Sequence, residues 1–256
     1  MSGLPESNWE GMYPSFEAAK AESTVFEGDV WLDKVVARAK SALERSTGGA
    51  IPPVATTTEY ALPFVAAMAA KRGQPLRVLD FGGGLGTSYP PLRGMLPKEQ
   101  PVDFVVVENE AVCARGRDVF AALPEVRFVS ELPKPPERFD LVHFGSSLHY
   151  VDDWRGVLRA AAALRPQHML FADLTAADNR SLVTVQRFHG RRIPVRFWNV
   201  DEFIAALAEL GFGLVFKSRY RGYYVDPNAE LPTKQFPPEY RLTYMSQLVF
   251  RSRAEE

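Results

Sequence analysis

From Arg77 onward, short apolar runs recur at Arg77–Phe81, Val102–Val107, Val126–Val129, Phe139–Phe144 and His168–Ala172. Short apolar runs closed by turn residues read as buried strands, and helical segments between them read as crossover connections. Helical spacing is found around Pro91–Leu96, Ala111–Leu123 and Trp154–Leu164. Val200–Leu210 is amphipathic and stops at Gly211, while Gly213–Tyr220 and Arg241–Arg251 read as two last strands separated by a long connection. The pattern predicts an α/β chain in which five parallel strands are followed by a final antiparallel pair.

The region before the first run has a different texture. Up to about Ser23 it mixes acidic, small and aromatic residues, and Trp9, Tyr13 and Phe16 suggest an arm that packs. Gly28–Glu44 carries Val30, Trp31, Val35, Val36, Ala39 and Leu43 at helical spacing, stopped by Ser46-Thr47-Gly48-Gly49. After Pro52-Pro53, Thr57-Thr58-Glu59 is placed to cap a second helix through Ala70, with Pro63 near its first turn and Gly73 just past its end. The expected division is residues 1–73, an arm and helices covering the cofactor and acceptor site, and residues 74–256, the core. Leu132–Pro136 reads as a stiff surface loop, and no internal repeat is visible.

Composition narrows the classes. With 256 residues and 46% hydrophobic content the chain can bury a full core. Thirty basic against thirty-one acidic residues give a formal charge of -1, which disfavours nucleic acid as the main partner. A single cysteine, Cys113, excludes an internal disulfide framework and a multi-cysteine metal site. With no bilayer-length apolar run and no signal-like start, a cytoplasmic protein without a membrane partner is expected.

Val78-Leu79-Asp80-Phe81-Gly82-Gly83-Gly84-Leu85-Gly86 is the stretch that carries chemistry. It predicts a strand running into a glycine turn, which in an open α/β sheet lies where ligands bind. Glu108 closes the second strand at the same edge, and its two oxygens suit the two hydroxyls of a ribose. Glu131, after the third strand, either accepts an adenine amine or is a surface acid. The dinucleotide spacing G-x-G-x-x-G fails, since Gly82 and Gly84 are followed by Thr87. An acid at Asp80 would repel a pyrophosphate and attract a sulfonium, so Asp80, Gly82, Gly84 and Gly86 favour S-adenosylmethionine over a nicotinamide cofactor.

These residues, with Val106-Val107-Glu108, Gly116-Arg117, Ser147-Leu148-His149-Tyr150 and Gln186, resemble a family of bacterial class I methyltransferases, some encoded among surface-polysaccharide genes. The similarity spans nearly the whole chain. It implies a Rossmann-like class I methyltransferase fold: a seven-stranded, mostly parallel sheet with an antiparallel last strand, preceded by N-terminal helices. It also implies S-adenosyl-L-methionine as cofactor and S-adenosyl-L-homocysteine as product. The acceptor, a small molecule or a glycan-type compound methylated on oxygen or nitrogen, is left to residue chemistry.

Methyl transfer needs an aligned nucleophile and, for a hydroxyl or protonated amine, a proton acceptor. The fourth strand ends in Gly145-Ser146-Ser147-Leu148-His149-Tyr150, which places Ser146 on the cofactor side and makes His149 the first candidate base. The alternative is that His149 packs and Asp153 caps the helix at Trp154. Asp173, directly after the fifth strand, is a second candidate base or a turn cap. His189, between Phe188 and Gly190, is a third, or is simply packed. Thr175–Asn199 is expected to be a lid over the acceptor, whose Arg187, Arg191, Arg192 and Arg196 either bind an anion or face solvent. Arg219-Tyr220-Arg221-Gly222-Tyr223-Tyr224 forms a second aromatic and basic cluster. No metal is expected, because Asp173, Asp178 and Asn179 have unspecific spacing. The rival to an enzyme is an inactive binding or scaffolding module of the same fold.

Overall fold

A computed structural model describes residues 9–20, 28–47, 57–188, 190–220 and 231–255. Its strands are β1 (Trp9–Tyr13), β2 (Leu76–Phe81), β3 (Val102–Val107), β4 (Val126–Val129), β5 (Leu141–Gly145), β6 (His168–Leu174), β7 (Ala176–Ala177), β8 (Leu182–Phe188), β9 (Arg191–Asn199), β10 (Phe212–Tyr220) and β11 (Met245–Ser252). The helices are α1 (Asp29–Thr47), α2 (Thr57–Ala69), α3 (Tyr89–Met95), α4 (Glu110–Val119), α5 (Trp154–Ala163) and α6 (Val200–Glu209).

Seven strands form the main sheet in the order β10-β11-β6-β5-β2-β3-β4. Strands β2 to β6 pair in parallel, and β11 runs antiparallel to both β6 and β10. Because consecutive side chains on a strand point to opposite faces, each apolar run feeds two cores. Leu79, Val105, Val142, Phe171 and Phe250 pack with Trp154 and Leu158 of α5 and Phe203 and Leu207 of α6. Val78, Val106, Leu141, Leu170 and Val249 pack with Leu62 and Val65 of α2, Leu92 of α3, and Val112 and Cys113 of α4. This is the doubly covered sheet that the continuous apolar runs predicted, with the antiparallel last strand.

Helix starts follow local chemistry. The Asn109 side chain accepts the Val112 N–H at α4, Asp153 accepts the Gly156 N–H at α5, and Asn199 accepts the Asp201 and Glu202 N–H groups at α6. Pro63 departs from expectation, since it lies well inside α2 and not in its first turn. A proline there withholds one helical donor, and α2 runs on to Ala69 because Leu62, Val65, Ala66 and Ala69 are buried.

Strands β7, β8 and β9 of the segment expected to be a lid form a second sheet with β1, ordered β1-β8-β9-β7. Strands β8 and β9 form a hairpin in which Leu182 faces Phe197, Thr184 faces Val195 and Gln186 faces Ile193. Its opposite face carries Val183, Val185, Arg192 and Arg196. Pro194 is tolerated because β7 pairs with β9 only at Trp198 and Asn199, leaving β9 unpaired on that side at Pro194. The N-terminal arm packs as strand β1, setting Trp9 opposite Gln186 and Glu10 opposite Val185. Glu10 receives Arg187 Nε at 2.7 Å and Arg192 Nε at 3.0 Å, which holds its carboxyl below the usual range.

A packing conflict at α4 makes the fold testable. A Cβ on Gly116 would lie 2.3 Å from the Phe128 ring of β4. Helix propensity alone favours Gly116→Ala by about 1 kcal/mol, while overpacking costs about 1–3 kcal/mol. We expect urea unfolding of the variant to show net destabilisation of up to about 2 kcal/mol; greater stability than the wild type would mean that the Phe128 ring yields freely.

Candidate functional site

Three ladder bonds continue past the strand ends and bring three loops side by side. The Gly82 N–H donates to Val107 O at 2.9 Å, the Glu108 N–H to Val129 O at 3.1 Å, and the Ser146 N–H to Ala172 O at 2.9 Å. They lie at the carboxyl edge where the order reverses, β3 and β4 on one side of β2 and β5 and β6 on the other.

The glycines of the turn do different things. Gly82 has φ +64°, and a Cβ there would sit 2.4 Å from Ser147 Cβ, so it allows two protein loops to touch. A Cβ at Gly83 would strike the Asp80 carboxylate at 2.4 Å, and one at Gly86 would meet the Phe128 ring at 3.3 Å. Gly84, at φ +55°, has no atom within 4 Å of its Cβ position. It is the glycine of the four that faces open space.

Asp80 is 1% exposed, so its role differs from that of an open carboxylate beside a ligand. Its Oδ1 lies 2.8 Å from His143 Nδ1, and its Oδ2 accepts the Ser88 hydroxyl. Any field it exerts on a bound cation acts from beneath the turn. His143 is its parallel-register neighbour on β5 and leaves Nε2 buried without a partner. Neither His143 nor Ser88 was picked out from the sequence; the signal was a histidine inside an apolar run, which only strand register connects to Asp80.

Glu108 accepts the Gly84 N–H on Oε1 and the Asn109 N–H on Oε2, each at 3.1 Å. Burial raises its carboxyl above the usual range, while the two backbone donors pull the other way. Oε1 retains a lone pair for a further donor, while Oε2 also lies 3.5 Å from the Asn109 side-chain amide, a marginal hydrogen bond. Glu131 is exposed at the same edge, past the end of β4. The arrangement fits a ribosyl group: an open cradle at Gly84 and a carboxylate with spare acceptor capacity behind it.

On the other side of β2, Ser146 Oγ donates to Asp173 Oδ2 at 2.7 Å. Both residues occupy the left-handed region, Ser146 at φ +57° and Asp173 at φ +54°. That conformation costs about 1–2 kcal/mol per non-glycine residue, least for Asp and Asn. Asp173 Oδ1 is buried without a partner, and burial pushes the carboxyl up to about 6. Ser147 Oγ donates to Phe81 O at 2.7 Å and ties this loop to the glycine turn.

His149 is 4% exposed and packs against Tyr150, with ring centroids 4.2 Å apart. Burial lowers its imidazole to about 3, so it is neutral and weakly basic at ordinary pH. The Tyr150 hydroxyl donates to Gln186 Oε1 at 2.8 Å, joining two of the motifs noted in the sequence. His189 and the cluster Arg221–Tyr224 lie outside the described residues. Arg187 and Arg192 both pair with Glu10. Arg219 lies over the Tyr244 ring with Asp178 at 4.0 Å. Among the described residues no group of three or more His, Cys, Asp or Glu is disposed to hold a metal, and no helix is long and apolar enough to cross a membrane.

Solved structures share this architecture at low identity. The Burkholderia thailandensis 1,6-didemethyltoxoflavin-N1-methyltransferase, with bound 1,6-didemethyltoxoflavin and S-adenosylhomocysteine, is 18% identical, with a TM-score of 0.51 over 86% of this chain and 89% of that one. The magnesium protoporphyrin IX methyltransferase of Synechocystis, with bound S-adenosylhomocysteine, is 13% identical, with a TM-score of 0.51 over 77% and 81% of the two chains. No curated protein matches the sequence significantly. A methyltransferase-domain profile matches residues 55–216, which include the glycine turn, Glu108, Ser146 and Asp173, and the chain therefore belongs to the methyltransferase domain family.

Proposed function

We propose that the protein is an S-adenosylmethionine-dependent methyltransferase acting on an oxygen or nitrogen of a small-molecule or sugar-like acceptor. The observation that carries the donor half is the pairing of Gly84 with Glu108. A main chain open to a ligand donates its N–H to a half-buried carboxylate that still has acceptor capacity. When bound, the cofactor supplies a methyl group on a sulfonium, an electrophile that needs no further activation. Glu108 accepts the ribose hydroxyls, the Gly82–Gly86 main chain borders the cofactor, and Asp80, held by His143 and Ser88, fixes the turn from below. Ser146 borders the same space, and Glu131, exposed at the same edge, takes the adenine amine in this reading.

Asp173 is the group best suited to take the acceptor's proton. A carboxyl near 6 is ionised at neutral pH and more basic than an ordinary one. Oδ2, oriented by the Ser146 hydroxyl, is the oxygen that receives the proton, since Oδ1 is buried. His149, at about 3, is a far weaker acceptor, so packing is its better role. An inactive scaffold would have no use for a strained, half-buried carboxyl at the carboxyl edge. Strain of this kind is kept where function requires it.

Glu108→Ala should weaken S-adenosylhomocysteine binding about 10- to 100-fold by calorimetry, the scale of lost charged hydrogen bonds; unchanged affinity would remove Glu108 from the site. Asp173→Asn should lower kcat by about 10²–10⁴ with cofactor affinity kept. The wild-type rate should fall as pH drops below about 6, and a variant retaining that rate would rule Asp173 out as the base. Stability provides an independent check. The folded pKa lies above the unfolded one, so the ionised carboxyl opposes folding progressively as pH rises from about 4 through about 6. Asn tolerates the same backbone, so Asp173→Asn should raise the melting temperature at pH 8 and leave it nearly unchanged at pH 3.5. A variant less stable at pH 8 would contradict the buried-charge account.

A further inference from the structure

A pocket of about 320 Å³ opens where the N-terminal strand, the β8–β9 hairpin and Tyr240 meet. Its walls are mixed: Met12, Pro14, Leu182 and Val183 are apolar, Tyr13 and Tyr240 are aromatic with hydroxyls, and Arg196 supplies a positive charge. A volume of this order suits a small ligand.

Arg196 is poorly satisfied for its position. Its side chain is 22% exposed, and its Nε is buried without a hydrogen-bond partner. Phe16 covers one face of the guanidinium at 5.1 Å. The acid within reach is Asp152, which is 68% exposed and contacts Nη2 at 3.4 Å, a marginal hydrogen bond. A guanidinium offers five donors in a fixed fork and binds carboxylates and phosphates bidentately. Its neighbours Arg187 and Arg192 differ, because Glu10 bonds them both at 3.0 Å or less.

The pocket also communicates with the carboxyl edge. Asp152 lies on the segment that leaves β5 through Ser146 and the short helix Leu148–Tyr150, and Tyr150 is hydrogen-bonded to β8. An anion that replaced Asp152 on Arg196 would act on the segment that carries Ser146, the partner of Asp173.

We propose that this pocket holds an anionic group, a carboxylate or a phosphate, borne on a small apolar or aromatic body, with Arg196 as its counter-ion and Asp152 as the side chain it displaces. That the ligand is the methyl acceptor rests on the methyl-transfer reading above; the anion site does not. Charge pairing with Arg196 sets orientation, and the apolar walls and tyrosines contact the body of the ligand.

Benzoate and phenyl phosphate, titrated into the full chain by calorimetry, test this, with S-adenosylhomocysteine titrated in parallel. One probe should bind saturably at one site, and the tighter of the two identifies the anion class. Arg196→Gln should weaken that probe by about tenfold or more, as expected for a lost charge-assisted pair. Asp152→Asn should tighten it by about two- to fivefold, because the competing carboxylate is gone. A merely structural Arg196–Asp152 contact would not give opposite signs. No saturable binding of either probe, unchanged affinity in Arg196→Gln, or weaker or unchanged affinity in Asp152→Asn would each overturn the proposal. If Arg196→Gln also loses S-adenosylhomocysteine binding through misfolding, Asp152→Asn decides alone. Probe binding without S-adenosylhomocysteine binding would sink the methyltransferase reading and keep the anion site, and the converse would do the reverse.

Discussion

Asp80 is a carboxylate almost wholly removed from water at the end of the central strand, and its need for partners shapes what surrounds it. A buried charge must be bonded or it destabilises the fold by several kcal/mol, on the order of the whole net stability. Two groups meet that need, His143 from the neighbouring strand and Ser88 from the start of α3. Ser88 stands at a helix N-cap and makes no capping bond there, its hydroxyl being committed to Asp80. Gly83 must then lack a side chain, because its Cβ position lies against that carboxylate. Turn, helix start and strand pair are fixed together by one buried group.

The two sides of β2 consequently differ in character. Toward β3, Glu108 receives two backbone N–H donors, which offset part of the burial that raises its carboxyl, and Oε1 keeps a lone pair for a further donor. Toward β6, Asp173 receives a single hydroxyl, stands in a strained backbone conformation and leaves an oxygen unpaired. Two carboxylates on one sheet edge thus differ in surroundings, and the proposed function gives them different tasks, one holding a ligand and the other taking a proton. Environment separates them, as the number of donors around each shows.

The second sheet alters the picture of the region before β2. The N-terminal strand is held by the β8–β9 hairpin through Glu10, so residues far apart in sequence make one structure. Pairing of Glu10 explains why the hairpin arginines are unequal. Those opposite the strand are neutralised, while Arg196, lower on the same face, borders a pocket. Alternation in Ile193, Val195 and Phe197 against Arg192 and Arg196 is a strand signal, but the length of the segment and its arginines favoured a lid over the acceptor.

Amino-acid order alone was enough for the doubly covered sheet, because strands buried on both faces must be apolar throughout and five such runs stand out from their surroundings. It also determined the glycine turn after β2 and the position of Glu108 directly after β3, since acid, glycine and strand end are local features at fixed spacing. Helix caps such as Asp153 were legible for the same reason. Tertiary structure alone decided what each site residue faces. Of the glycines, Gly84 is open and the others are occupied by Ser147, Asp80 and Phe128. Asp80 is buried, His149 is packed, and Asp173 is pushed toward neutrality. Those outcomes depend on burial and on partners from other strands, and neither quantity is a property of a residue's sequence neighbours.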